Sequence, residues 1–336
     1  MEGDARRRVA FLGPEASYTH QAALDAFKNK DVTLSPQITI ADVFTAVQKG
    51  TAYRGVVPFE NSSNGSVVFT LDLIADLHGM HPDILVCGES YVDVKHCLLG
   101  YIVPNATPAD QHNHKDKPPV EIDKKFTNPL AVPICDLSRI KKLYSHPQAW
   151  GQCKAFLSTY LKGIERQDVS STSRAAELVA QDTSGESAAL SSFVAASLFR
   201  LDVLAESIND RVGNATRFLL IRRKNSASPS STPLPDSTYT TDGNGSDWKT
   251  LVTFTVDHAN PGALASCLAA CGKYGLNLTS INTRPSGIEN WHYIFFVEFK
   301  GRKEDGDEIG PVNQALKDLD SVCRAWRWLG SWENRL

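Results

Sequence analysis

An excess of either charge is missing from this chain: 35 Lys and Arg against 38 Asp and Glu leave a net charge of −3 over 336 residues. Without a basic field, nucleic acid is excluded as a principal ligand. Long apolar runs are missing too; none approaches the roughly 18 residues a membrane helix needs. The start, MEGDARRRVAFLG, has four apolar residues after its arginines, and Glu2 and Asp4 disfavour a mitochondrial presequence. A cytoplasmic protein is expected. The seven cysteines include no CxxC pair, and read as reduced, buried small hydrophobes. Cys267 and Cys271 lie one helical turn apart. There is no Gly-rich dinucleotide loop, no P-loop and no His/Cys ligand cluster, so neither cofactor nor metal is expected. His112 and His114 sit among Lys, Asp and Pro and read as a solvated loop.

What is present is ordinary globular material, 42% hydrophobic and 22% charged, long enough for about two domains at roughly 150 residues each. NSASPSSTPLPDSTYTTDGNGSD (225–247) is a flexible linker by composition, and the polar stretch 104–129 reads as a surface insertion. Before the linker, strands alternate with amphipathic helices: strands Val9–Leu12, Gly55–Val57, Arg139–Tyr144 and Ala188–Leu190; helices Tyr18–Lys28, Ala41–Lys49, Pro147–Leu161, Ser173–Gln181 and Ser192–Phe199. This alternation predicts an α/β fold with largely parallel sheets. After the linker the order becomes βαββαβ, the ferredoxin-like arrangement. There Asn260 is read as N-cap and Pro261 as first helical residue, and Tyr293, Phe295, Val297 and Phe299 share one strand face.

Three islands carry chemistry. In Asn214-Ala215-Thr216-Arg217-Phe218 a hydroxyl and a guanidinium stand together at a turn before a buried strand, Phe218–Ile221. GVVPFENSSNGSV (55–67) and LYSHPQAWGQC (143–153) likewise run from a strand into hydrogen-bonding residues. Rigid elements flanking polar loops are how small-anion sites are built. Arg217 offers either a carboxylate fork or a structural ion pair. Glu60 is either a proton source, if burial raises its pKa, or a cap for backbone amides. Gly65-Ser66 resembles a backbone nest at a helix start. His146 reads as a turn residue.

Together the islands resemble the prephenate dehydratase family, over nearly the whole chain. The resemblance implies a catalytic domain over 8–224, built as two α/β lobes around a cleft like the type II periplasmic binding proteins. The chain would cross between lobes near residues 90 and 190. It implies that Thr216 is catalytic, with Asn61, Ser145, Gln152 and Glu60. Arg217, Ser62, Ser17, Tyr18, Phe218 and Thr172 would bind substrate. Ala16 replaces a glycine common in the family, a difficulty if its φ is positive. Residues 248–336 resemble an ACT domain, which implies phenylalanine as effector between modules of a homodimer or homotetramer. Its contacts would come from Gly262, Ala263, Leu264, Asn282, Arg284 and Pro285; Asn282 stands in place of a carboxylate. The linker implies two independently folding units. Arogenate dehydratase and a non-catalytic sensor of amino or organic acids are the alternatives.

Overall fold

The computed structural model describes residues 7–102, 129–224, 248–304 and 310–335. The linker, His112, His114 and nearly all of the expected insertion lie outside the described residues. The chain divides into two compact units: Met1–Leu12, Ala22–Tyr91 and Arg217–Leu336 form one, Gly13–Gln21 and Val92–Thr216 the other. Passage back occurs after Thr216 rather than near residue 190. Strand β10 (Asp202–Ala205) still pairs with β6 (His96–Gly100), and the Val94 N–H still donates to the Asn214 carbonyl.

The first unit is built on a sheet of order β2-β1-β3-β11-β5, with β4 on β3. Its strands are β1 (Arg8–Leu12), β2 (Thr33–Gln37), β3 (Arg54–Asn61), β4 (Gly65–Ser66), β5 (Ile84–Asp93) and β11 (Ala215–Arg223). Helix α2 (Ile40–Gln48) starts at a reciprocal cap, in which Thr39 and Asp42 each accept the other's backbone N–H. It buries Val43, Phe44 and Val47 in the core. Helix α3 (Val68–Ala75) follows the β3–β4 hairpin. The proposed nest at Gly65-Ser66 is therefore corrected: these residues pair with Asn61 and Glu60 as a short antiparallel strand.

The same unit contains the C-terminal module. Strands β12 (Trp248–Thr255), β13 (Leu278–Pro285), β14 (Tyr293–Lys300) and β15 (Ala325–Glu333) form a sheet of order β13-β14-β12-β15, with antiparallel pairing throughout. One face packs Val252, Phe254, Phe295, Val297 and Phe299 with Cys267, Leu316 and Leu319 of α8 (Ala263–Lys273) and α9 (Pro311–Val322). The other face is also apolar. Leu251, Ile294, Phe296, Leu329 and Trp332 share one cluster with Phe44 of α2 and with Val57, Phe59, Val86, Leu219 and Ile221 of the first sheet. This shared cluster weighs against the expectation of two independently folding units, because the C-terminal sheet contributes to the core of the first sheet.

Gly330 makes that packing possible. Its φ is 139°, and a Cβ there would lie 2.0 Å from the Val86 carbonyl oxygen. Gly330→Ala is expected to cost at least about 1–3 kcal/mol, as overpacking does, with added strain from the backbone angle. Thermal unfolding checks this; an unchanged melting temperature would show that the two backbones part without penalty.

Two local expectations are also corrected. Helix α8 is capped by Gly262, in the left-handed conformation at φ 84°, while Asn260 accepts the Ala263 N–H in the preceding turn. Pro147–Leu161 is two helices, α4 (Pro147–Gln152) and α5 (Lys154–Tyr160). The break at Cys153 arises because the Asp210 carboxylate takes the N–H groups of Lys154 and Ala155.

The second unit has a mixed sheet of order β10-β6-β9-β7-β8, completed by β7 (Lys142–Ser145), β8 (Glu165–Asp168) and β9 (Ser187–Ser192). Helix α6 (Thr172–Gln181) buries Ala175, Ala176 and Val179 against Cys97, Leu99 and Ala189. Among the described residues no helix is long and apolar enough to cross a membrane.

Candidate active site

In the second unit a buried polar chain joins three segments far apart in sequence. His96 Nε2 lies 2.7 Å from Gln152 Oε1. An amide oxygen only accepts, so Nε2 carries the proton and Nδ1 is the acceptor. The Tyr18 hydroxyl stands 3.2 Å from that Nδ1 and 3.3 Å from the Lys95 carbonyl. Asn209 Oδ1 takes the His96 backbone N–H at 2.7 Å. Gln152, the last residue of α4, is fixed from behind, since its carbonyl accepts the Asp210 N–H at 2.7 Å. Burial pushes the His96 pKa below 6.5 and raises that of the Tyr18 phenol. The structure thus brings Tyr18 and Gln152 together through His96, which the sequence reading missed. The available signal was an ionisable residue opening a strand, HCLLG, otherwise wholly apolar and buried.

Ser17 Oγ accepts the His20 N–H, holding the first turn of α1 (Tyr18–Ala26). Ala16 does adopt positive φ, 62°, at a cost of about 1–2 kcal/mol for a residue with a Cβ. Its N–H donates to His20 Nδ1 at 2.9 Å and its carbonyl accepts from Ser192. His20 is thereby a turn cap. His146 caps α4 in the same way, accepting the Gln148 N–H. The Ser145 hydroxyl is fully buried and donates to the Leu190 carbonyl at 2.9 Å. That bond ties β7 to β9 and uses the hydroxyl's one proton, leaving its lone pairs as acceptors. Thr172 is half-buried at the start of α6, where Ser171 caps the helix. Beside the lead-in to β11 a cavity of about 300 Å³ is lined by Lys95, Asn209, Arg211 and Asn214, among others.

In the first unit Asn61 Oδ1 accepts the N–H groups of Ser63 and Asn64 at 3.0 Å each, so its carbonyl end organises the hairpin. Glu60 is half-buried and Ser62 exposed. Thr216 and Arg217 are consecutive residues of β11 rather than turn residues, and successive strand side chains point to opposite faces. Thr216 is half-buried, and Phe218 is 1% exposed. Arg217 is not a substrate fork. Its Nε donates to Glu89 Oε2 at 2.9 Å and its Nη2 to Glu298 Oε2 at 2.5 Å. Its side chain is 8% exposed, and its Nε and Nη2 are engaged by two protein carboxylates.

The residues expected to contact an effector are also engaged within the first unit. Asn282 Oδ1 accepts from the Ser66 hydroxyl at 2.5 Å. Arg284 grips Asp72 of α3 with two bonds, 2.6 and 3.1 Å long. Arg284 and Pro285 line a cavity of about 410 Å³ together with Asp72, Leu73, Leu77 and Met80. Ala263 is buried and Leu264 packs against the module's own core. Among the described residues no group of His, Cys, Asp and Glu could hold a metal ion.

The buried ionisable groups predict a stepped loss of stability in acid. His20, His81 and His96 all have pKa values below 6.5, chiefly through burial. The unfolded chain therefore binds more protons, and stability declines as pH falls below 6.5. For Glu89, burial raises the pKa, but Arg217, the Arg335 N–H and Lys249 outweigh it, and the carboxyl lies below 4.5. Its contribution is complete above pH 4.5 and is lost as pH falls further. Melting temperatures measured from pH 8 to 3 should fall in these two stages, with the upper stage reduced in His96→Gln. A melting temperature flat between pH 7 and 5 would contradict the histidine assignment.

A family model described as prephenate dehydratase matches residues 9–226. The chain is 33% identical over 329 residues to a bifunctional chorismate mutase/prephenate dehydratase of Aquifex aeolicus, covering 98% of this chain and 74% of the relative. It is 31% identical to a probable prephenate dehydratase of Saccharomyces cerevisiae, covering 95% of this chain and 94% of the relative. Among solved structures, a prephenate dehydratase of Arthrobacter aurescens in complex with L-Phe superposes with a TM-score of 0.72 at 27% identity, over 97% of this chain and 90% of that one.

Proposed function

The chain belongs to the prephenate dehydratase family, and from that premise we propose that it converts prephenate to phenylpyruvate with Thr216 at the reaction centre. The ring carboxylate leaves as carbon dioxide, its bonding pair enters the ring, and the ring hydroxyl takes up one proton and departs as water. Aromatisation drives the step. The protein's tasks are to hold a dicarboxylate, to assist the departing oxygen and to exclude water. The Thr216 hydroxyl hydrogen-bonds that oxygen, and positioned proton transfer contributes about 10²–10⁴-fold. Asn61, Ser62, Ser17, Tyr18, Gln152, Thr172 and Phe218 belong to the proposed substrate surround, with Ser145 behind them and Glu60 as the candidate proton source. The observation that carries this reading is the family match across 9–226, which spans Thr216 and both other islands. Incubation with prephenate tests it, with phenylpyruvate as the product read by absorbance. Turnover of arogenate alone, or binding without turnover, would replace the reading by the amino-substrate enzyme or by a sensor.

Phenylalanine is the proposed effector, bound by the C-terminal module. The Arthrobacter relative is described in complex with L-Phe. In this chain β13, carrying Asn282, Arg284 and Pro285, is an edge strand and is available to a second copy in a homodimer or homotetramer. A cytoplasmic location belongs to the same proposal. An inhibitor must bind the less active arrangement more tightly, by about 5–150-fold in affinity, and substrate then weakens its binding equally. Calorimetric titrations of phenylalanine with and without a substrate analogue should differ by such a factor; identical affinities would remove the regulatory claim.

A further inference from the structure

We propose that Glu298, carried by the C-terminal module, is a positioning residue for the dehydration. Through the buried Arg217 guanidinium it fixes the start of β11, and with it the Thr216 hydroxyl; this rests on the reading of Thr216 as the group that meets the departing oxygen. Four strands contribute to the cluster: Glu89 from β5, Arg217 from β11, Lys249 from β12 and Glu298 from β14. Two cations face two anions, so the cluster is neutral. The Glu298 oxygens have separate tasks. Oε2 accepts from Arg217 at 2.5 Å. Oε1 accepts from the Thr279 hydroxyl at 2.8 Å and lies 3.8 Å from Lys249 Nζ. Lys249 in turn bonds Glu89 and the Tyr91 hydroxyl, and the Arg217 guanidinium lies 5.3 Å from the Phe59 ring centroid.

A buried ionic cluster adds little stability over well-packed apolar groups. What this one supplies is a fixed point. Arg217 is held by carboxylates from two other strands, β5 and β14, and Thr216 is the preceding residue. Threonine is stiff about its first side-chain torsion, so its hydroxyl follows the backbone that Arg217 pins. Catalytic geometry tolerates only about 0.5 Å of error, and a misplacement of about 1 Å can cost on the order of 100-fold in rate.

Position and charge make opposite forecasts for two substitutions in the full-length chain. Glu298→Gln keeps the acceptor in place and removes the charge. Glu298→Asp keeps the charge and withdraws the acceptor by about one carbon–carbon bond, roughly 1.5 Å. Positioning predicts that Glu298→Asp loses more kcat than Glu298→Gln, at least tenfold against wild type, with KM within about twofold, and that amides 214–218 exchange hydrogen faster in Glu298→Asp. A purely electrostatic or stabilising role predicts the reverse order of kcat and no local change in exchange; that result, or full kcat in Glu298→Asp, overturns the proposal. If the aspartate variant fails to fold, Thr279→Val decides, since it loosens only Glu298 from an exposed site and should lower kcat in the same direction without altering KM. Were the wild type inactive on prephenate, the functional reading would fall, while hydrogen exchange at 214–218 would still judge the positioning role.

Discussion

Thr216→Ala is expected to lower kcat for prephenate by about 10²–10⁴-fold, the usual worth of positioned proton transfer, with KM changed by no more than a few-fold. Thr216→Ser should keep much of the activity. Only the hydroxyl is assigned a task, and that task is greatest when the ring oxygen departs, so the loss belongs to the transition state rather than to binding. Residue 216 is half-buried on a strand whose next three residues are buried. Removing its Oγ1 and methyl therefore leaves the core untouched, and the variant should melt near the wild-type temperature. Steady-state kinetics beside thermal unfolding separates the outcomes: near-normal turnover in a folded alanine variant removes Thr216 from the centre.

A chain ending at residue 224 is expected to lose its native fold as well as the proposed regulation. Truncation strips Leu251, Ile294, Phe296, Leu329 and Trp332 from the core they share with Phe59, Val86 and Leu219. Burial of each large apolar side chain is worth about 1.5–3 kcal/mol, so five of them contribute roughly as much as the whole stability of a typical domain, about 5–15 kcal/mol. The cut also removes Glu298 and Lys249 from beside Arg217 and Glu89, and breaking a buried ion pair costs about 3–5 kcal/mol. Circular dichroism and gel filtration of the shortened chain test this; a monodisperse, cooperatively melting, active fragment would show that the lost sheet covers nothing essential.

The linker's composition pointed the other way, and the reason lies in what composition reports. A Ser/Pro/Gly stretch shows where the backbone carries no core, and is silent about whether the pieces on either side share one. The counter-signal stood in β14, YIFFVEFK, whose Ile294 and Phe296 are as apolar as Tyr293 and Phe295. A strand apolar at both parities is buried on both faces. In the α/β part β1, β3, β7, β9, β11, α1, α2 and α6 were legible because their periodicities are local, whereas β2, β5, β6, β8, β10 and α3 were not anticipated. The fate of Arg217 was not, because its carboxylate partners lie 128 and 81 positions away. His96 was passed over for the same reason: its meaning comes from Tyr18 and Gln152, 78 and 56 positions distant. Asp210, which breaks the helix after Gln152, lies 56 and 55 positions from the N–H groups it accepts and carries no local mark of that role.

The close approach of Gly330 to the Val86 carbonyl bears on how such a chain can recombine. A sensory module grafted from another enzyme onto this catalytic sheet meets a lock with a steric and an electrical part. The incoming strand must present a residue without a side chain opposite Val86, and it must bring a carboxylate and an ammonium to complete the half-built charge cluster around Arg217. Chimeras satisfying one requirement and not the other should express as insoluble protein, however faithfully the junction is placed within the linker. Interchangeability here is set by a surface patch on the recipient, and libraries of fusions would be sorted by that patch before any difference in effector recognition came to light.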